Sequence, residues 1–133
     1  MNKSHVEGGC LCGSIRYQGE GEPSNLTLYH CRSCRKATGS PIIAWVTFPA
    51  SGFSFVSGTP TEYRSSPKVV RAFCAACGTP LTYRHANYPS SVDVTTCSLD
   101  DPESFAPTDH TFFSHRLRWL RVNDHLPARS DRS

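Results

Sequence analysis

Seven cysteines carry most of the chemistry open to this chain, and six of them come in pairs. Cys10-Leu11-Cys12-Gly13 and Cys74-Ala75-Ala76-Cys77-Gly78 lie far apart, and each pair runs at once into glycine and a short strand-like stretch. Zinc in a closed structural site takes four soft ligands at about 2.3 Å. A C-x-x-C turn offers two sulfurs to one side of the ion. A C-x-C offers two along an extended chain, where residues i and i+2 share a face. Glycine after each pair suits a tight turn that needs a positive φ. Cys10, Cys12, Cys74 and Cys77 therefore read as two halves of one tetrahedral zinc site.

The third pair, Cys31-Arg32-Ser33-Cys34-Arg35-Lys36, sits among cations. At the start of a short helix, beside Arg32, Arg35 and Lys36, a thiol ionises more readily and becomes reactive. Such a pair could act as a redox dithiol or form a reversible adduct with a small thiol. Arg32, Arg35 and Lys36 could hold the carboxylates of an anionic thiol, or form the solvated face of the helix. Arg116, Arg118 and Arg121 read as solvated surface. Cys97 is the cysteine left over.

The elements that must position these groups are short strands. The chain has 133 residues, enough for one domain with a core, read as residues 1–126 followed by a polar, frayed tail at 127–133. Ten prolines and nine glycines against 38% hydrophobic residues point to a loop-rich β protein. Strands are expected within 5–18 on either side of the first cysteine turn, and at 26–30, 42–48, 53–56, 61–64, 69–73, 79–83, 91–97 and 111–115. The run at 42–48 is the most apolar and should be central. A short helix or turn is expected at 31–38 and a cap or short helix at 116–120. Many short strands with frequent turns predict a sandwich-like, mainly β fold.

Met1-Asn2-Lys3-Ser4-His5-Val6-Glu7 has no apolar run, and no stretch is long enough to span a membrane. A cytoplasmic location is expected, where cysteine clusters serve metals or catalysis rather than disulfides. A disulfide framework is the competing reading. A net charge of +3 is too small for the footprint of a nucleic-acid binder.

Four blocks together carry a family resemblance: Gly8-Gly9-Cys10-Leu11-Cys12-Gly13; His30-Cys31-Arg32-Ser33-Cys34-Arg35-Lys36 with Thr38-Gly39-Ser40; Phe73-Cys74-Ala75-Ala76-Cys77-Gly78-Thr79-Pro80; and Leu99-Asp100-Asp101-Pro102. In order and spacing the chain resembles the glutathione-dependent formaldehyde-activating enzyme family, which also includes centromere protein V. The resemblance implies a β-tent fold of twisted antiparallel sheets with a structural zinc on Cys10, Cys12, Cys74 and Cys77. It also implies a second, catalytic zinc on a C-x-C-x-x-C cluster. The implied activity is that of a carbon–sulfur lyase, the reversible joining of formaldehyde to glutathione.

This sequence departs from that pattern at Tyr29, where the second cluster should begin with cysteine. Cys31 and Cys34 supply two ligands. Cys97 could supply the third, or be a buried small hydrophobe. His30 is nearer in sequence, but on a strand it points away from Tyr29 and Cys31. His110 and His115 are further acid–base candidates, or ordinary surface or core histidines. Trp45 and Trp119 read as core or pocket wall, and Asp100 and Asp101 as turn residues. Two functions compete. One is a zinc-dependent lyase acting on a glutathione or small-thiol adduct of an aldehyde. The other is a non-enzymatic, zinc-stapled binding module with a degenerate second metal site.

Overall fold

The computed structural model describes residues 5–131, and the chain over that range is mainly β. Three strands, β1 (His5–Gly9), β2 (Arg16–Glu20) and β5 (Phe53–Ser57), form a small antiparallel sheet in the order β1-β2-β5. The large sheet has seven strands in the order β10-β3-β4-β9-β8-β7-β6. Its members are β3 (Ser24–Tyr29), β4 (Ile43–Pro49), β6 (Thr61–Ser66), β7 (Val69–Phe73), β8 (Pro80–His85), β9 (Ser91–Thr95) and β10 (Asp109–Thr111). All pairings are antiparallel except β10 with β3. The single α-helix among the described residues is α1 (Arg32–Thr38). No helix among them is long and apolar enough to cross a membrane.

Strand alternation separates two apolar clusters. Val46 and Phe48 of β4 and Val92 and Val94 of β9 point to one face, where they meet Val6, Tyr17 and Phe53 from the small sheet. Each such side chain contributes about 1.5–3 kcal/mol on burial, so this seam holds the sheets together. Trp45, the odd-numbered neighbour, points the other way and packs with Tyr29 and Cys34 beneath α1. Thr47 donates to the Asp93 carboxylate at 2.6 Å within the large sheet. The central strand is therefore covered on both faces, in line with its unbroken apolar sequence.

Several expectations near the C-terminus need correction. The late strand is Asp109–Thr111 rather than 111–115. Phe112 takes a left-handed conformation, φ 55°, and Phe113–His115 is a 3-10 turn. No helix forms over 116–120, and Trp119 is exposed on the wall of a groove, the second of its two expected places. Through residue 131 the tail is docked, not frayed; residues 132 and 133 lie outside the described residues, as do 1–4. His110 donates its backbone N–H to the Pro127 carbonyl at 2.8 Å, and Arg129 returns one to His110 at 2.8 Å. Phe113 donates to Arg129 at 2.7 Å and Phe112 to Asp131 at 3.2 Å.

Side chains reinforce that docking. Asp124 accepts from His110 Nε2 at 3.0 Å, and His110 Nδ1 lies 2.8 Å from His30 Nε2. Both imidazoles are buried. Burial, then the nearby His110, Arg116 and Arg35, hold the His30 pKa down from 6.5 to about 4, against the pull of Asp124. His30 therefore takes up its proton in the unfolded chain near pH 6.5 and in the folded chain only near pH 4. Acidification across that window favours unfolding, and the loss is complete below about pH 4. Thermal denaturation from pH 7 to 4 should give a steeper fall in Tm for the wild type than for His30→Phe. Equal slopes would remove His30 as the cause.

Candidate metal centre and active site

The first site is built by two turns that mirror one another. Gly13 N–H closes on the Cys10 carbonyl at 3.1 Å, and Gly78 N–H on the Cys74 carbonyl at 2.7 Å. Gly13 has φ 80° and Gly78 φ 83°, which a side chain would strain. The C-x-C half is thus a turn, not the extended segment expected from its spacing. Leu11 N–H donates to Thr79 Oγ1 at 3.0 Å and ties one turn to the other.

The four sulfurs of Cys10, Cys12, Cys74 and Cys77 all lie within 4.8 Å of one another. Cys10 and Cys12 are 3.6 Å apart, and Cys12 and Cys74 3.8 Å. A tetrahedron with zinc–sulfur bonds of about 2.3 Å has sulfur–sulfur edges of about 3.8 Å, so the residues fit a zinc ion. Two of the donors are shifted toward the thiolate, whereas, against the pull of Ser14, the neighbouring thiols Cys10 and Cys77 help to push Cys12 up. Thr79, through its hydroxyl and N–H, lowers the Cys77 pKa to about 5. Burial would raise Cys10, but the Ile15 N–H, Ser14 and neighbouring thiols bring it down to about 7. This cluster can hold a metal ion.

The second site lies on the other face of the large sheet. Cys31 immediately precedes α1 and is half-buried, while Cys34 lies inside the first turn of the helix and is 5% exposed. The neighbouring Cys34 thiol, outweighing burial and aided by the Ser33 and Cys34 N–H groups, lowers the Cys31 pKa to about 4. The nearby Cys31, with burial, pushes Cys34 well above the usual thiol range. The pair therefore ionises at Cys31 first.

Both cysteines line a cavity of about 140 Å³, with Tyr29, Trp45, Arg71, Tyr83 and Phe112 among its walls. Beside it is a larger cavity of about 610 Å³, which shares Ser33, Trp45, Ser65 and Arg71 and adds Lys36 and Tyr63. Arg71 was not expected from the sequence. Its Nη2 stands 3.9 Å from Cys34 Sγ, its Nε donates to Ser65 Oγ at 3.3 Å, and its guanidinium lies over the Tyr83 ring at 5.0 Å. An isolated arginine on a strand carries no motif, so only the β7–β8 pairing reveals it.

Several expected participants lie elsewhere. Cys97 is exposed in the 3-10 turn Thr96–Ser98 and shares a groove with Gly9, Cys10 and Leu11. Thr95 bonds to the Pro80 carbonyl and to Ser98, which turns the chain toward β1 and away from Cys31. His30 faces His110. Tyr29 is buried and packs on Phe112 at 5.8 Å. Among the described residues, the only metal-ligand cluster of three or more Cys, His, Asp or Glu is the Cys10 group. The residues at Cys31 and Cys34 thus do not fit a three-ligand zinc.

The basic residues of α1 divide. Arg32 and Arg35 border a shallow groove with Leu117 and Trp119, and Arg35 donates to the His115 carbonyl at 2.8 Å. Lys36 reaches both that groove and the larger cavity. Arg116 lies over the Phe113 ring, and Arg118 and Arg121 are exposed. His115 stacks on Phe112. Asp100 forms a two-point ion pair with Arg16, and Asp101 accepts from Ser104, both structural turn contacts.

A fission yeast (Schizosaccharomyces pombe) protein described as an uncharacterized lyase, C29B12.13, is 33% identical over 81 residues, which cover 61% of this chain. The chain spans 58% of that relative's length. A crystal structure of a Rhodobacter sphaeroides protein shares the fold, with a TM-score of 0.58 at 20% identity over 93% of this chain and 100% of that one. The family described as glutathione-dependent formaldehyde-activating enzyme matches residues 5–115, and the chain belongs to that family.

Proposed function

We propose that the protein is a carbon–sulfur lyase that reversibly joins a small aldehyde such as formaldehyde to a small thiol such as glutathione. The observation that carries this reading is the ionisable Cys31 in a small cavity that adjoins a larger one bearing Lys36 and Arg71. The small cavity suits a one-carbon aldehyde. The larger is of the size that takes a peptide-sized ligand. Family membership and the lyase-named relative support the same chemistry.

In this reading the Cys31 thiolate adds to the aldehyde carbon. A carbon–sulfur bond forms, the carbonyl electrons move to oxygen, and Arg71 steadies the negative charge. Collapse of that adduct breaks the same bond and releases the aldehyde beside the incoming thiol. The thiol of glutathione gives up its proton to water and adds as thiolate to the aldehyde carbon; the carbonyl electrons move to oxygen, and that alkoxide takes a proton back from water to give the hydroxymethyl product. Lys36 and Arg71 hold a glutathione carboxylate; Arg32 and Arg35, on the outer side of α1, guide the anion inward. Cys34 donates a hydrogen bond that keeps Cys31 ionised.

Cys10, Cys12, Cys74 and Cys77 hold one structural zinc, which fixes the turns and takes no part in the reaction. Its binding free energy, on the order of 10 kcal/mol, rivals the whole stability of a domain, about 5–15 kcal/mol. Chelation, or Cys74→Ser, should therefore abolish the cooperative thermal transition. A metal-depleted protein that keeps its Tm would refute the structural role.

Aldehyde and thiol also combine without a catalyst, so exchange between free and adduct glutathione should be followed by NMR against a protein-free control. Cys31→Ala should return the rate to the control value. Arg71→Gln should lower kcat about 10²-fold, and Lys36→Ala should raise KM about tenfold. Full exchange in Cys31→Ala would overturn the assignment. A wild-type rate no faster than the control would favour the zinc-stapled binding module, the reading to which Tyr29 in the ligand position lends weight.

A further inference from the structure

We propose that Cys31 and Cys34 form a metal-free dithiol that exchanges with the disulfide of a small thiol and closes a Cys31–Cys34 bond across the cavity. This does not depend on the lyase reading. It starts from the mismatch at the second site. Two cysteines remain where a metal needs at least three ligands. Tyr29 is packed on Phe112, His30 on His110, and Cys97 lies beside Cys10. Nothing among the described residues completes a metal site there.

What remains has the layout of an exchange pair. Both cysteines line the same small cavity, and residues three apart on a helical turn are neighbours, within the reach of a disulfide. Their access differs. Cys31 is half-buried at the cavity, whereas Cys34 is 5% exposed behind it. An incoming disulfide meets Cys31 first, and Cys34 is left to resolve. Arg71, 3.9 Å from Cys34 Sγ, favours the thiolate that resolution requires. The larger cavity, bordered by Lys36 and Arg71 with no carboxylate among its lining residues, accepts the anionic body of the small-thiol disulfide.

The steps balance. The Cys31 thiolate attacks one sulfur of glutathione disulfide; that sulfur–sulfur bond breaks, and one glutathione leaves as thiolate. Cys34 gives its proton to water and attacks the Cys31 sulfur. The second glutathione leaves, and the protein disulfide is formed. The dithiol loses two electrons and glutathione disulfide gains them. Excess reduced glutathione runs the steps backward, so the bond reports the thiol–disulfide ratio. While it is closed, Cys31 has no thiolate to offer an aldehyde.

The test uses the full chain with Cys97→Ser, because Cys97 is exposed. It is equilibrated with mixtures of reduced and oxidised glutathione, and peptide mapping quantifies each cysteine. A Cys31–Cys34 disulfide should appear and vanish with the ratio. Adding Cys34→Ser, or Cys34→Ala if serine is not tolerated at that buried position, should trap one glutathione on Cys31. Adding Cys31→Ser should trap none at Cys34. Thiols at 31 and 34 that survive excess glutathione disulfide would overturn the proposal. So would protection that only a chelator relieves, or trapping at another cysteine in place of Cys31.

Discussion

Sixty-two residues separate Cys12 from Cys74, yet their sulfurs stand 3.8 Å apart. Everything else in the molecule depends on that approach. Closing a loop of this length costs about 4 kcal/mol in chain entropy, judged by the disulfide analogy. One metal ion shared by the four thiols would supply more than enough to offset it. The junction joins the small sheet, through the turn after β1, to the large sheet, through the turn between β7 and β8. The apolar seam of Val46, Phe48, Val92 and Val94 with Val6, Tyr17 and Phe53 lies between the two sheets so joined.

The same junction sets the reactive site at a distance. Arg71 lies three residues before Cys74 on β7, and the pairing of β7 with β8 brings Tyr83 opposite it. Displacement of the Cys74 turn would move the guanidinium away from Cys34. On the other side, the docked tail holds Phe112 in its left-handed conformation against Tyr29 and His115. A bulky residue in that region is strained unless its surroundings enforce it. The cavity is thus clamped from two ends, by the cysteine turn at Cys74–Gly78 and by the chain's own C-terminal segment.

The legible parts were those encoded over a few residues. Cys10 to Gly13 and Cys74 to Gly78 advertise a metal turn by donor type, spacing and glycine, and their sulfurs do converge. The run at 42–48 advertises a central strand because both of its faces are buried. The wrong expectations depended on a single distant contact. Phe112-Phe113 looks like strand, but backbone bonds from residues 129 and 131 bend it. Cys97 looked available until the Thr95 and Ser98 hydroxyls turned the chain away. The tail looked frayed because its side chains are polar, whereas it docks through its backbone. Arg71 had no local signal at all.

The most direct measurement is native mass spectrometry of the intact chain, purified without exposure to metal resin and sprayed under non-denaturing conditions. One zinc per chain is expected, retained in a Cys31→Ser, Cys34→Ser variant and lost with Cys12→Ser. Two zincs in the wild type, falling to one in the Cys31, Cys34 variant, would contradict the division of the seven cysteines into a metal staple and a free dithiol.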